Sequence, residues 1–447
     1  MKKQTARYIV ITVVSVLLVL VCCFGMYMYF SGRNAAKGES EVIFQFSPES
    51  VESIRISNGN YSYELEKDDG LWKIENNEDK KIIQQSVNEA INVFSLVKGT
   101  EVKMQGEPLY TIRVEIDRTF GETVFELAKD NENYYLKNKR GKIYVVSQVL
   151  YSVAERDADY YRDKTVTSIK SLGADGENKF VSYNFKYKDE DGKTLETNVR
   201  LKNASEVLKY DNSSQYMMNV PYLRTVDATD FESKILTKIP DIKIEKFISE
   251  GNLSLSPYGL DEKTRGILTI RYDNTSFILY VGKRAENSGE IYCMLPGSKE
   301  VFTVKSSALD FLGYNNFEFI NKSVFPYNID YIRNVRIQSE GLSYSIRSDG
   351  TNFFINERPV SKETVEGFFE ELKNLKATTI DTEKYEGDEV MKVTLTGSDG
   401  VSTAYRVFKT IDEKIIVSEG GKVFLRLDNE VIETFKESLK QLEKTPI

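Results

Sequence analysis

Val51-Glu52-Ser53-Ile54-Arg55-Ile56, Tyr61-Ser62-Tyr63-Glu64-Leu65 and Leu71-Trp72-Lys73-Ile74 follow one another closely, the last two joined through Asp68-Asp69-Gly70. Apolar and polar residues alternate in each run, and the Asp-Asp-Gly step is a good chain reverser, so the stretch reads as a three-strand antiparallel meander. At a constant offset of 281 residues the pattern returns as Val335-Arg336-Ile337, Leu342-Ser343-Tyr344-Ser345-Ile346 and Phe353-Phe354-Ile355-Asn356. An amphipathic helix follows both copies. Val87, Ile91 and Phe94 mark its apolar face in the first, and Phe368, Leu372 and Leu375 in the second. Ser361 supplies an N-cap to the second helix, but Thr364 three residues on leaves the capping box incomplete.

A second module follows each helix. Leu268-Thr269-Ile270-Arg271-Tyr272, Phe277 to Gly282, Ile291-Tyr292-Cys293-Met294 and Val301-Phe302-Thr303-Val304 read as four consecutive antiparallel strands, with reversals at Asp273-Asn274 and Pro296-Gly297. The same order occurs from Thr111 to Val146 and again from Met391 to Arg426. The middle copy starts less regularly, with a hairpin about Asp191-Gly192 and a helix expected over Ala228 to Ile239 behind the N-cap Asp227. The expected class is α+β: an N-terminal single transmembrane helix, then three related units of antiparallel meander and hairpins, each covered by a main helix. The expected divisions are 1–43 for the tip, span and linker, then 44–164, 165–318 and 319–447 for the three units.

The membrane expectation rests on Tyr8 to Phe30, 23 consecutive residues without a formal charge. About 20 apolar residues at 1.5 Å rise span the hydrocarbon core. Tyr8, Tyr27 and Tyr29 stand at its ends, where amphipathic rings prefer the interface. Lys2, Lys3 and Arg7 precede it, so positive-inside keeps the N-terminus cytoplasmic and the remainder extracytoplasmic. The core is too long for a cleaved signal peptide, and Asn34-Ala35-Ala36 is a poor cleavage site. Cys22 or Cys23 as a lipidated residue is disfavoured by Val21, where such processing wants a small residue. Both read as small apolar fillers.

Composition then removes whole classes of chemistry. The 447 residues include no histidine, three cysteines and one tryptophan. Ser-His-Asp and Cys-His catalysis, His-ligated zinc and imidazole switching all need a ring this chain lacks. Leaving out residues 1–43 leaves 55 cations against 66 carboxylates, a net charge of −11. So acidic an ectodomain, with no basic patch interleaved with aromatics, excludes nucleic acid as a partner. No phosphate-binding G-x-x-x-x-G-K-[ST] loop and no dinucleotide fingerprint occur, so an ATPase would belong to another chain.

Carboxylates are the remaining candidates. Asp189-Glu190-Asp191-Gly192 resembles part of a Ca²⁺ loop but lacks its alternating ligands, and reads better as a hairpin tip. Asp157 and Asp159 could bind a divalent cation or serve a sugar-cleaving enzyme. Arg156 and Arg162 beside them suggest an ion cluster at a helix end instead. Cys293 reads as a small buried residue and Trp72 as packed on the following helix, with a reactive thiol and a carbohydrate platform as the respective alternatives. No catalytic residue, cofactor ligand or metal ligand is assigned.

Tyr258-Gly259-Leu260-Asp261 precedes one strand module, Asp69-Gly70-Leu71-Trp72 lies between a strand and a helix, and an apolar anchor opens the chain. Together these resemble the bacterial domain-of-unknown-function family numbered 4340. In the third unit the corresponding residues are Tyr385-Glu386-Gly387-Asp388 and Phe353. Read locally, Tyr258-Gly259 is a turn, Leu260 a core plug and Asp261 a cap. The resemblance implies membrane-tethered extracytoplasmic proteins, frequently encoded beside ABC-transporter subunits of the gliding-motility type. The expected function is a non-enzymatic accessory or scaffold protein. Its expected partners are the lipid bilayer, through Tyr8–Phe30, and integral-membrane transporter subunits. A module binding peptidoglycan or another envelope polymer, and a carboxylate-based hydrolase, are the alternatives.

Overall fold

The computed structural model describes residues 39–75, 80–103, 108–173, 176–189, 191–249, 254–286, 288–339, 341–381, 387–410 and 414–442. Two compact units divide the chain, one ending at Lys164 and the other starting at Thr165.

In the first unit nine strands form one antiparallel sheet. Its spatial order is Glu41–Gln45, Leu96–Val102, Ile143–Val146, Tyr134–Asn138, Gly121–Lys129, Tyr110–Arg118, Val51–Asn58, Ser62–Asp68 and Leu71–Ile74. The decisive pairing is that of Val51–Asn58, which meets Ser62–Asp68 on one edge and Tyr110–Arg118 on the other. Val51, Ile54 and Ile56 point to one face, where the helices Gln84–Ser95 and Gln148–Ala154 cover them. Helix Gln84–Ser95 buries Val87, Ala90, Ile91 and Phe94, a stripe at helical spacing. Its first residue also closes the sheet. The Gln84 side chain accepts from the Trp72 amide at 2.8 Å and donates to the Trp72 carbonyl at 2.9 Å, standing in for a neighbouring strand on that exposed edge.

The second unit holds two more sheets over one continuous apolar core, antiparallel apart from the short parallel pairing of Leu172–Gly173 with Asn178–Lys188. Counted from the first strand of each meander, all three sheets share one order. Three meander strands come first, the four-strand module follows, and the strand after the helix pairs beyond it, at the far edge in the second and third sheets and just inside Glu41–Gln45 in the first. The second sheet runs from Asn178–Lys188 outward, and the third from Ile332–Ser339. Extra short strands decorate the edges, among them Arg358–Val360, whose Pro359 suits an edge because it offers no amide hydrogen.

The α+β expectation is corrected by these sheets: the described residues are mostly strand. Each meander and its four-strand module, which sequence periodicity separates, fuse through the first meander strand into a single large sheet. The helices are few and short. Over Ala228 to Ile239 the chain forms only the short helix Ala228–Lys234 and then a 3-10 segment, Leu236–Asp241, containing Pro240. Proline removes a backbone donor and clashes with the preceding turn, so the helix does not propagate. Asp227 does cap its start, accepting from the Asp230 amide at 3.0 Å. Among the described residues no helix is long and apolar enough to cross a membrane. The stretch Tyr8–Phe30, with Cys22 and Cys23, lies outside the described residues, as do Tyr385 and Glu386.

Candidate functional site

The carboxylate-rich segment after helix Gln148–Ala154 is folded around its own backbone. Asp157 caps the 3-10 turn Ala158–Tyr161 by accepting from the Tyr160 amide at 2.9 Å. Asp159 pairs with Arg162 at 3.1 Å, and the Arg162 side chain is buried. The Arg156 guanidinium stacks over Tyr160, 4.0 Å from the ring centre. Tyr61 and Tyr63 donate to the carbonyls of Glu155 and Arg156, each at 2.7 Å. Burial, reinforced by Asp157, pushes the Tyr61 phenol up to about 12. Asp157 and Asp159 therefore serve a cap and an ion pair, rather than facing each other across a cleft as two glycosidase carboxylates would. Among the described residues no group of three metal-ligating side chains occurs.

The other candidates are likewise committed to the fold. Asp189 accepts from the amides of Asp191 and Lys193 at 3.1 and 2.8 Å, fixing a hairpin tip in which Gly192 has φ +77°. Glu190 lies outside the described residues. Cys293 is fully buried on a strand between Val281 and Phe302, and burial pushes its thiol up, away from the reactive thiolate. Trp72 is 4 % exposed, and its indole donates to Asn88 at 3.2 Å, so no open ring face remains for a sugar.

Tyr258-Gly259-Leu260-Asp261 forms a latch on the second sheet. Tyr258 ends a 3-10 turn, and Gly259 takes φ +67°, a left-handed conformation that glycine adopts without steric cost. The loop lies directly on the strand Thr275–Arg284. A Cβ on Gly282 would fall 2.2 Å from the Tyr258 carbonyl oxygen, so glycine is required for the approach. Leu260 is fully buried and joins Met294 and Val301 in a small apolar cluster separate from the main core. Tyr258 packs edge-on against Tyr292 with ring centres 5.0 Å apart, and the Arg265 guanidinium lies 3.9 Å from the Tyr280 ring centre. Asp261 accepts from the Thr264 hydroxyl at 2.6 Å and the Lys263 amide at 2.9 Å, and these bonds, the Thr264 one first, hold its carboxyl below the usual range. The motif thus places a turn, a plug and a cap on one sheet.

One cluster escaped sequence reading. Arg224, on the edge strand Arg224–Thr225, has a side chain only 1 % exposed. Its Nη1 donates to the Ser323 carbonyl at 3.1 Å, and its Nη2 lies 3.2 Å from Glu419 on the third sheet. The Tyr405 hydroxyl donates to Glu419 at 3.1 Å and lies 2.9 Å from that of Tyr327. Burial first, and then Glu419, pushes the Tyr405 phenol up. Around this centre Tyr327 stacks between Tyr210 and Tyr331, with the Lys209 ammonium within 6 Å of all three rings. The available signal was a lone charge in Tyr222-Leu223-Arg224-Thr225-Val226, with a partner 195 positions away. Close by, a cleft of about 320 Å³ is lined by Asp211, Asp227, Asp230, Lys322, Lys373 and Lys376, so its charges balance internally. This region joins the second and third sheets through Arg224 and Glu419.

The family described as Domain of unknown function (DUF4340) matches residues 225–352, a span that includes the Tyr258–Asp261 latch and Gly282. The resemblance read from the sequence is thereby shown over that span. No match was found among curated proteins or among solved structures.

Proposed function

We propose that this protein is a non-enzymatic accessory or scaffold component, tethered at the membrane by Tyr8–Phe30 with its sheets on the extracytoplasmic side. Its partners on this reading are integral-membrane subunits of an ABC-type transport or export system. The supporting observation is that the chemically versatile candidates among the described residues are committed to structural contacts. Asp157, Asp189 and Asp261 cap turns, Asp159 holds Arg162, and Cys293 and Trp72 are buried. What remains available is strand surface, broad and polar, on the faces not covered by helices. Tethering raises the effective concentration of such surfaces toward other membrane proteins. The transporter association draws its support from the family resemblance.

The test is purification of the full-length protein from membranes in mild detergent, with identification of co-eluting chains. Transporter subunits are expected to co-elute and to be lost when the tether is replaced by a cleavable leader. Elution without any transporter subunit would refute the reading.

A further inference from the structure

The outer faces of the first and third sheets follow the same pattern with opposite electrostatic results. On the first sheet Arg55 lies between two carboxylates, Glu64 on one neighbouring strand and Glu115 on the other, and pairs with both. Arg113, one pairing step along, faces Glu126 at 3.6 Å and bonds Glu115 at 2.7 Å. Both cations of this ladder thus have carboxylate partners. The equivalent of Arg55 on the third sheet, 281 residues on, is Arg336, and its strand neighbours are Ser345 and Thr394. Arg113, opposite Ser57, corresponds to Lys392, opposite Gln338. Where Arg113 meets Glu126, Lys392 meets Arg406.

Two hydroxyls and a guanidinium thus stand where the first sheet has three carboxylates. Like charges directly opposite on neighbouring strands destabilise a sheet. Lys392 and Arg406 are such a pair, with Arg336 diagonal to Lys392. Glu389 reaches Arg406 at 3.8 Å. Among the described residues neither Arg336 nor Lys392 has a carboxylate partner. In a chain of net charge −8, three cations cluster on one face and two of them, Arg336 and Lys392, have no carboxylate partner among the described residues.

We propose that Arg336, Lys392 and Arg406, with the hydroxyls of Ser345 and Thr394, form a binding site for a chain of phosphate groups. Phosphate chemistry fits because guanidinium and ammonium groups make charge-assisted bonds to its oxygens, and hydroxyls donate to those left over. Adjacent strands about 4.8 Å apart spread the cations over more than a single oxyanion, which favours linked phosphates. A bilayer surface fits poorly, since interfacial binding needs apolar side chains and this row carries none. Nucleic acid fits poorly as well, since the row offers no aromatic ring on which bases could stack. The site does not depend on the accessory reading: phosphate binding and co-elution with a transporter can each fail alone.

Calorimetric titration of the detergent-solubilised full-length protein with sodium tripolyphosphate tests it. Saturable binding is expected, weakening as salt rises from about 50 to 200 mM because screening shortens the reach of these charges. Ser345→Glu with Thr394→Glu restores the first-sheet pattern and should weaken binding at least about tenfold, as expected when charge complementarity is lost. Arg406→Glu should abolish binding while leaving the melting temperature of the free protein equal or higher, since it turns a repulsive pair into an attractive one. Arg336→Gln with Lys392→Gln, which introduces no acid, should also lose binding. The proposal is overturned if the unaltered protein does not bind, if the variants bind within twofold of it, or if a single-stranded oligonucleotide binds more tightly than tripolyphosphate.

Discussion

Replacing Arg224 by Leu is expected to destabilise the second unit by about 3–5 kcal/mol, the usual cost of removing one partner from a buried ion pair. Arg224 donates to the Ser323 carbonyl and faces Glu419 across the junction of two sheets. Without it, the Glu419 side chain, 19 % exposed, loses the guanidinium beside it and keeps the bond from the Tyr405 hydroxyl. Glu419→Leu should cost a similar amount, by leaving the guanidinium uncompensated. The double variant should recover most of the loss, because two apolar side chains of comparable volume no longer need each other. Urea unfolding followed by far-UV circular dichroism gives these values. Trp72, the only tryptophan, lies in the first unit and follows that unit separately by fluorescence. An Arg224→Leu protein within about 1 kcal/mol of the original would show that the pair is effectively solvated, as surface pairs are.

Gly397→Ala is expected to be the other severe change. A Cβ there would sit 2.0 Å from Cζ of Tyr331 and 2.2 Å from its hydroxyl oxygen. The ring cannot easily yield. It stacks on Tyr327 with ring centres 6.1 Å apart and 10° between planes, and its hydroxyl donates to Asp399 at 2.8 Å. Its backbone carbonyl also accepts from the Ser398 amide at 2.7 Å, so the crowded residues share one tight connection. Overpacking usually costs about 1–3 kcal/mol, and a clash against so constrained a ring belongs at the upper end. Tyr331→Ala removes the obstacle at the cost of its own packing. In the double variant the losses should be less than additive, a coupling that the same urea series measures. Strict additivity would mean that the ring moves aside freely.

Local patterning made the strands legible, because each needs only a few alternating residues and a turn. The 281-residue recurrence came from the same short-range signals and pointed to the matching of Val51–Asn58 with Ile332–Ser339. Helix faces were legible at Val87, Ile91 and Phe94 for the same reason. Long-range pairing was not. That Ile54 sits opposite both Leu65 and Ile116 is invisible to a periodicity of two, yet that pairing merges separate hairpins into one sheet. The closing of an edge by the Gln84 side chain and the partnership of Arg224 with Glu419 depend on residues far apart in sequence or on side-chain reach. At Asp157, Asp189 and Asp261 the residue type could suggest a cap but not decide it. The competing chemical readings differ only in what the carboxylates face.

If the outer strand faces are the working surface, contact with other molecules should occur there rather than on the helix-covered side. A photo-crosslinking side chain placed in turn at Ser57, Gln338, Gln85 and Glu433 of the full-length protein, irradiated in native membranes, measures this directly. Ser57 and Gln338 occupy matching outer-face positions of the first and third sheets, while Gln85 and Glu433 lie on the helices Gln84–Ser95 and Asn429–Leu442 that cover their inner faces. Adducts at Ser57 or Gln338, and none at Gln85 or Glu433, are the predicted result. Adducts confined to the helical positions, or absent from all four, would contradict it.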